Sequence, residues 1–233
     1  MSGTLLNAAT VLIGGLIGTR LGARLPERLR ATVVRGLGLF TIALGLQGAL
    51  QTRNVIILLF AILLGGLAGS ALSLDARLRG IGDALQRRLA AKGGRVSEAF
   101  VTTSIVFCVG PLTFLGAIQN GISGDARLLT IKSVLDGFAA LAFAASLGWG
   151  VLLSVITILV YQGALAAGAS LFARALTESM LGEMSAAGGL LVMGVGLRLL
   201  EIKDVQVADF LPAIFIAPAI VAALIALGLP LTP

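Results

Sequence analysis

Two stretches decide the fold: Ser104-Ile-Val-Phe-Cys-Val-Gly-Pro-Leu-Thr113, and a loop later Ser133-Val-Leu-Asp-Gly-Phe-Ala-Ala-Leu-Ala-Phe-Ala-Ala-Ser-Leu147. The first is an apolar run broken at Gly110-Pro111. Proline removes a backbone donor and frees carbonyls of the preceding turn, which need new partners in an apolar setting. The second is an apolar run with one carboxylate, Asp136, inside it. A charge at the centre of a bilayer costs about 2.5–3.5 kcal/mol or more, so such a residue pairs, protonates or faces water. A broken helix followed by a helix with a buried acid is a way to build a polar site at membrane depth.

Working outward, Lys132 lies one helical turn before Asp136. The two can pair, although lysine first is the weaker order on a helix. That contact would pin helices together. The functional reading makes Asp136 a cation or proton ligand, joined by the carbonyls freed near Gly110 and Pro111. Thr113, Gln119 and Asn120 would add oxygen ligands, which suit a hard cation such as Na⁺. A Lys132 left unpaired would favour an anion instead. Tyr161, Gln162 and Asn7 lie in other apolar runs. They are able to bind a substrate, although such residues more often bridge helices.

Composition supports the membrane setting. Of 233 residues 58% are hydrophobic and 12% charged, with a mean hydropathy of +1.04; soluble domains carry about 25% charge. The 31 glycines let helices approach closely. No histidine is present, and the one cysteine, Cys108, rules out an intramolecular disulfide or a multi-cysteine metal site. No nucleotide-binding or zinc-protease motif occurs, no catalytic constellation is visible, and no metal or cofactor is expected. The net charge of +6 fits basic cytoplasmic loops near anionic headgroups rather than nucleic acid.

In chain order, apolar runs predict spans near 5–19, 36–50, 55–74, 100–118, 128–147, 151–171, 186–200 and 208–227. Gly14, Gly18 and Gly22 share one face of the first. Arg20 to Arg35 reads as a basic loop. Residues 75–98 read as an amphipathic cytoplasmic segment, a helix on the membrane surface that Lys92-Gly-Gly-Arg95 ends, because Leu74, Leu78, Ile81, Leu85 and Leu89 recur at helical spacing among arginines. Glu178 and Glu183 fall in a loop. Basic residues after the first and third spans place both termini outside.

The two ends resemble each other. Gly38-Leu39 matches Gly189-Leu190, Gly45-Leu46 matches Gly196-Leu197, and Ala61-Ile62 matches Ala213-Ile214. The offset is five spans, an odd number, so equivalent helices would cross in opposite directions, as in the inverted repeats of many transporters. The fold expected is therefore an all-α polytopic membrane protein, one domain over 1–233. It has about seven to eight transmembrane helices, an inverted-topology internal repeat (4–74 and 151–228), a central unit over 99–150, and one amphipathic surface helix.

Cys108-Val-Gly-Pro-Leu-Thr-Phe-Leu-Gly-Ala-Ile-Gln-Asn-Gly121, Lys132-Ser-Val-Leu-Asp-Gly-Phe-Ala139, Leu147-Gly-Trp-Gly-Val151 and Gly3-Thr-Leu-Leu-Asn-Ala8 resemble the YqgA/YdfK-like family of bacterial inner-membrane proteins. The resemblance covers nearly the whole chain. It implies a polytopic protein with a transport assignment and supplies no substrate. The expectation is a secondary transporter or ion-conducting protein of the bacterial inner membrane, for a small ion or solute; the alternative is a non-transporting scaffold or subunit. The lipid bilayer is the partner expected, and the glycine faces permit a homodimer.

Overall fold

The computed structural model describes residues 1–24, 26–88, 96–108, 111–170 and 176–230; within helices, the side chains of 30, 81–83, 85–88, 111 and 112 lie outside that description. Ten α-helices are described: α1 Ser2–Gly22, α2 Glu27–Ala49, α3 Val55–Ala71, α4 Leu74–Arg88, α5 Val96–Cys108, α6 Pro111–Ser123, α7 Arg127–Leu147, α8 Ser154–Ala167, α9 Glu178–Leu199 and α10 Ala213–Ala226. Short 3-10 turns, Trp149–Leu153 and Val207–Phe210, lead into α8 and α10. Six helices, two of them counted with these turns, are long and apolar enough to cross a membrane. Two bent pairs, α3 with α4 (54°) and α5 with α6 (60°), bring the number to eight.

The burial pattern is that of a protein solvated by lipid. On α1 the buried residues are Gly3, Thr4, Asn7, Ala8, Val11, Gly14, Gly15, Gly18 and Gly22. Leu5, Leu12, Ile13, Leu16 and Ile17 are exposed. Large apolar side chains face outward and small ones inward, because close packing rather than water exclusion holds membrane helices together.

Three glycine seams fix the arrangement. A Cβ placed on Gly14, Gly18 or Gly22 would fall 2.1, 2.2 and 2.2 Å from the carbonyl oxygens of Gly137, Leu141 and Ala145. Both numberings rise together, so α1 and α7 run parallel with backbones in contact. Gly45 lies against the Gly189 carbonyl and Gly38 against that of Gly196 (2.6 and 3.3 Å from a built Cβ), so α2 and α9 run antiparallel. Gly65 meets Ala213, and Gly69 meets the Asp209 carbonyl, so α3 is antiparallel to the chain entering α10. These directions agree with eight crossings in which α5 and α6 together count as one. The glycines of these three seams are occupied within the chain.

Local signals set the helix ends. Asn54 caps α3 by accepting from the Ile56 N–H at 3.0 Å. Thr177 caps α9, accepting from the Met180 N–H at 3.3 Å. Gly148, at φ +89°, ends α7 in a conformation that side-chain-bearing residues avoid.

Several elements differ from the sequence expectation. The basic stretch is largely helical, since α2 starts at Glu27 directly after Pro26; a helix continues past the hydrocarbon wherever its residues permit it. The surface helix is described over Leu74–Arg88, and the Lys92-Gly-Gly-Arg95 end expected for it lies outside the described residues. Residues 89–95 lie outside the description, and Val96 to Glu98 already belong to α5. Asp75, at the start of α4, is buried: its N–H donates to Asp209 Oδ1 at 2.8 Å, and its carboxylate accepts from Arg79. The seventh span starts at Glu178, so Glu183 sits inside α9 and not in a loop.

Candidate functional site

Lys132 and Asp136 stand on the α7 face that α1 covers, 6% and 7% exposed. Lys132 Nζ donates to Asp136 Oδ2. Asn7 Nδ2, brought in by the glycine face of α1, donates to the same oxygen at 3.0 Å. Pairing answers the cost of burial: each charge neutralises the other, whereas removing one from such a pair costs about 3–5 kcal/mol. Capacity remains. Asp136 Oδ1 accepts no hydrogen bond among the described residues, and Lys132 uses one of its three donors. Asn7 Oδ1 is also buried without a partner.

The pair borders a cavity of about 690 Å³ between α2, α7 and α9, reached by Val106 of α5 and Thr113 of α6. Its inner wall includes Phe143 and Val192, and Phe40, Leu44 and Phe138, which are exposed toward the lipid, line its open side. Thr41, Gln47, Gln51, Thr113 and Ser185 supply hydroxyls and amides, and among the described residues Lys132 and Asp136 are its only charged lining. The volume lies in the usual range for small-molecule sites, and far exceeds a dehydrated ion.

The remaining expected site residues separate. Thr113 lines the cavity, but its hydroxyl donates to the Phe107 carbonyl at 3.3 Å, spanning the helix break. Gly110 lies outside the described residues, as does the side chain of Pro111, which begins α6. Gln119 does not reach Asp136: it is exposed and donates to Asp125 at 3.3 Å. Asn120 is not there either. Its Oδ1 accepts from the Gly3 N–H at 3.3 Å, and its Nδ2 donates to the Gly124 carbonyl at 3.1 Å, tying α1 to the end of α6. Helix α6 turns away from α5 at the break and carries both residues to the rim. Tyr161 stacks edge-on against Phe114, and Gln162 is fully buried with both amide atoms unpartnered; neither lines the cavity. Of the site residues expected around Asp136, Lys132 and Asn7 touch it, and Thr113 lines the same cavity. Among the described residues, no three His, Cys, Asp or Glu side chains group as a metal site.

The α2 wall was not singled out from sequence. Thr41, Leu44, Gly48 and Gln51 follow i, i+3 and i+4 spacing, and that was the available signal. Glu183 was also missed. Its buried carboxylate accepts from Thr52 Oγ1 at 2.7 Å and from the Arg53 and Asn54 N–H groups at 2.8 and 3.2 Å. It thereby holds the turn between α2 and α3.

The chain matches the family model "Protein of unknown function (DUF554)" over residues 2–222. It is 35% identical over 229 residues to "Uncharacterized protein YqgA" of Escherichia coli (strain K12), covering 95% of this chain and 96% of that one. It is 24% identical over 233 residues to "Uncharacterized membrane protein YdfK" of Bacillus subtilis (strain 168), covering 98% and 99%. No solved structure matches. The chain belongs to the DUF554 family and is a membrane protein.

Proposed function

We propose that this member of the DUF554 family is a secondary transporter of the bacterial inner membrane, a carrier rather than an enzyme. The cavity at Lys132 and Asp136 is its binding site. One observation carries the reading: a buried charge pair with unused hydrogen-bonding capacity borders a cavity large enough for a small solute. A pair serving only to pin α7 would have no need of that space. Because Lys132 already neutralises Asp136, a solute or a proton fits the site better than a bare metal cation.

Symmetry supports the reading. In the proposed inverted repeat, Gly38 corresponds to Gly189 and Gly45 to Gly196. Exchanging the halves turns the Gly45–Gly189 contact into Gly196–Gly38, which is also observed. Reciprocal contacts of this kind are what a two-fold axis produces, and an axis in the membrane plane is the usual frame for alternating access.

The closed ion pair also favours a second reading, a structural scaffold in which Lys132–Asp136 only fastens helices. Charge movement in proteoliposomes on a solid-supported membrane separates the two, with Na⁺, K⁺, H⁺, small anions and solute gradients applied to wild type and Asp136→Asn. The carrier reading expects a wild-type signal that disappears in a folded Asp136→Asn protein. Silence under every gradient, with Asp136→Asn merely less thermostable, would leave the scaffold.

A further inference from the structure

We infer that the cavity takes a zwitterion whose two charges lie close together, namely an apolar α-amino acid. This rests on the carrier reading and names the substrate class of the same site. Among the described residues Lys132 and Asp136 are the only charged lining, and they sum to zero. A ligand with net charge would leave one unit uncompensated at depth. An uncharged ligand offers nothing equal to the contact it must loosen. A zwitterion meets both groups: its carboxylate takes the spare donors of Lys132, and its ammonium takes the unoccupied Asp136 Oδ1.

Separation narrows the class. Lys132 Nζ and Asp136 Oδ2 are in direct contact, so the ligand charges that engage them must also be adjacent. The ammonium and carboxylate of an α-amino acid are one carbon apart; those of an ω-amino acid are not. The rest of the cavity sets the side chain. Phe143 and Val192 within, and Phe40, Leu44 and Phe138 at the exposed side, make its surface mainly apolar, with Thr41, Gln47, Gln51, Thr113 and Ser185 as its uncharged polar groups. Leucine- or phenylalanine-sized side chains match this surface and the volume of about 690 Å³.

The test is equilibrium binding of tritiated L-leucine to the purified full chain in detergent. Competitors are L-phenylalanine, 4-methylpentanoate (leucine without its ammonium), 3-methylbutylamine (leucine without its carboxylate) and 6-aminohexanoate (an isomer of leucine with distant charges). L-phenylalanine should compete, and the other three should be at least about tenfold weaker, since each leaves a buried charge without its counterpart. Lys132→Gln and Asp136→Asn should lose binding. Because either can disturb folding, Ala139→Phe provides an independent check: it fills the cavity, leaves the pair intact, and should also abolish binding while the protein melts cooperatively.

Absence of saturable leucine and phenylalanine binding to folded wild type overturns the inference. So does a one-charge analogue or 6-aminohexanoate competing equally with leucine, and so does full binding by Ala139→Phe. Asp136-dependent ion currents without amino-acid binding would overturn this assignment and keep the carrier. Amino-acid binding without any flux would keep the assignment and sink the carrier.

Discussion

Gly18→Ala should destabilise the protein although alanine is the better helix former. A Cβ at residue 18 would sit 2.2 Å from the Leu141 carbonyl oxygen, with two further backbone atoms of Leu141 at 2.9 Å. Ordinary contact begins near 3.4 Å, so the helices must part by roughly 1 Å. A gap of that size forfeits about a quarter to a half of the dispersion attraction across the contact, and overpacking of this kind costs about 1–3 kcal/mol. Replacing glycine in a helix returns about 1 kcal/mol, so the net effect is a loss of up to about 2 kcal/mol. Gly36 supplies the control. It lies on α2 with no atom within 4 Å of a built Cβ, so Gly36→Ala should gain stability from propensity alone. Thermal unfolding in a single detergent, read by intrinsic fluorescence, compares the two. Gly18→Ala should melt below wild type and Gly36→Ala at or above it. If both gain equally, α1 and α7 do not meet backbone to backbone and the seam is wrong.

Other tests bear on the same architecture. Lys132→Gln and Asp136→Asn should each destabilise by about 3–5 kcal/mol, because each strands a buried charge. The double variant should recover much of that loss in a denaturation cycle. Glu183→Ala should cost about 1.5–3 kcal/mol, the scale for hydrogen bonds to a charged group, and should raise hydrogen exchange at the Arg53 and Asn54 amides before it affects α7. Arg53→Cys and Arg77→Cys, made in a Cys108→Ala background, should react from opposite sides of the membrane with an impermeant thiol reagent. Labelling from the same side would contradict the crossing of α3.

Much of this fold is legible in the sequence because membrane burial constrains residues one helix at a time. The glycine spacing of α1, the break after Cys108 and the turn from Lys132 to Asp136 are local patterns, and each has a local consequence in the structure. The cavity is different in kind. It needs α2, α7 and α9 side by side, and no periodicity says which helices are neighbours. Gln119 and Asn120 show the limit well. They follow the break closely enough to look like ligands, yet the 60° bend between α5 and α6 takes them away from Asp136. Arg28 and Glu183 misled for another reason: charge density suggests a loop, but helix geometry tolerates charge where a partner or an aqueous boundary receives it.

Contacts made by bare backbone have no rotamers to exchange. At Gly14, Gly18 and Gly22 the α1–α7 pair therefore has little to repack, whereas the α2–α9 seam also holds the side chains of Ile42, Met193 and Leu200. The α1–α7 pair makes one jaw of the site and the α2–α9 pair the other. The cavity lies between them, with α7 on one side and α2 and α9 on the other, and under the carrier reading a tilt of one jaw against the other would change its shape. Spin labels on the two helices of one jaw would keep a narrow distance distribution, and labels placed across the jaws would report every opening of the site.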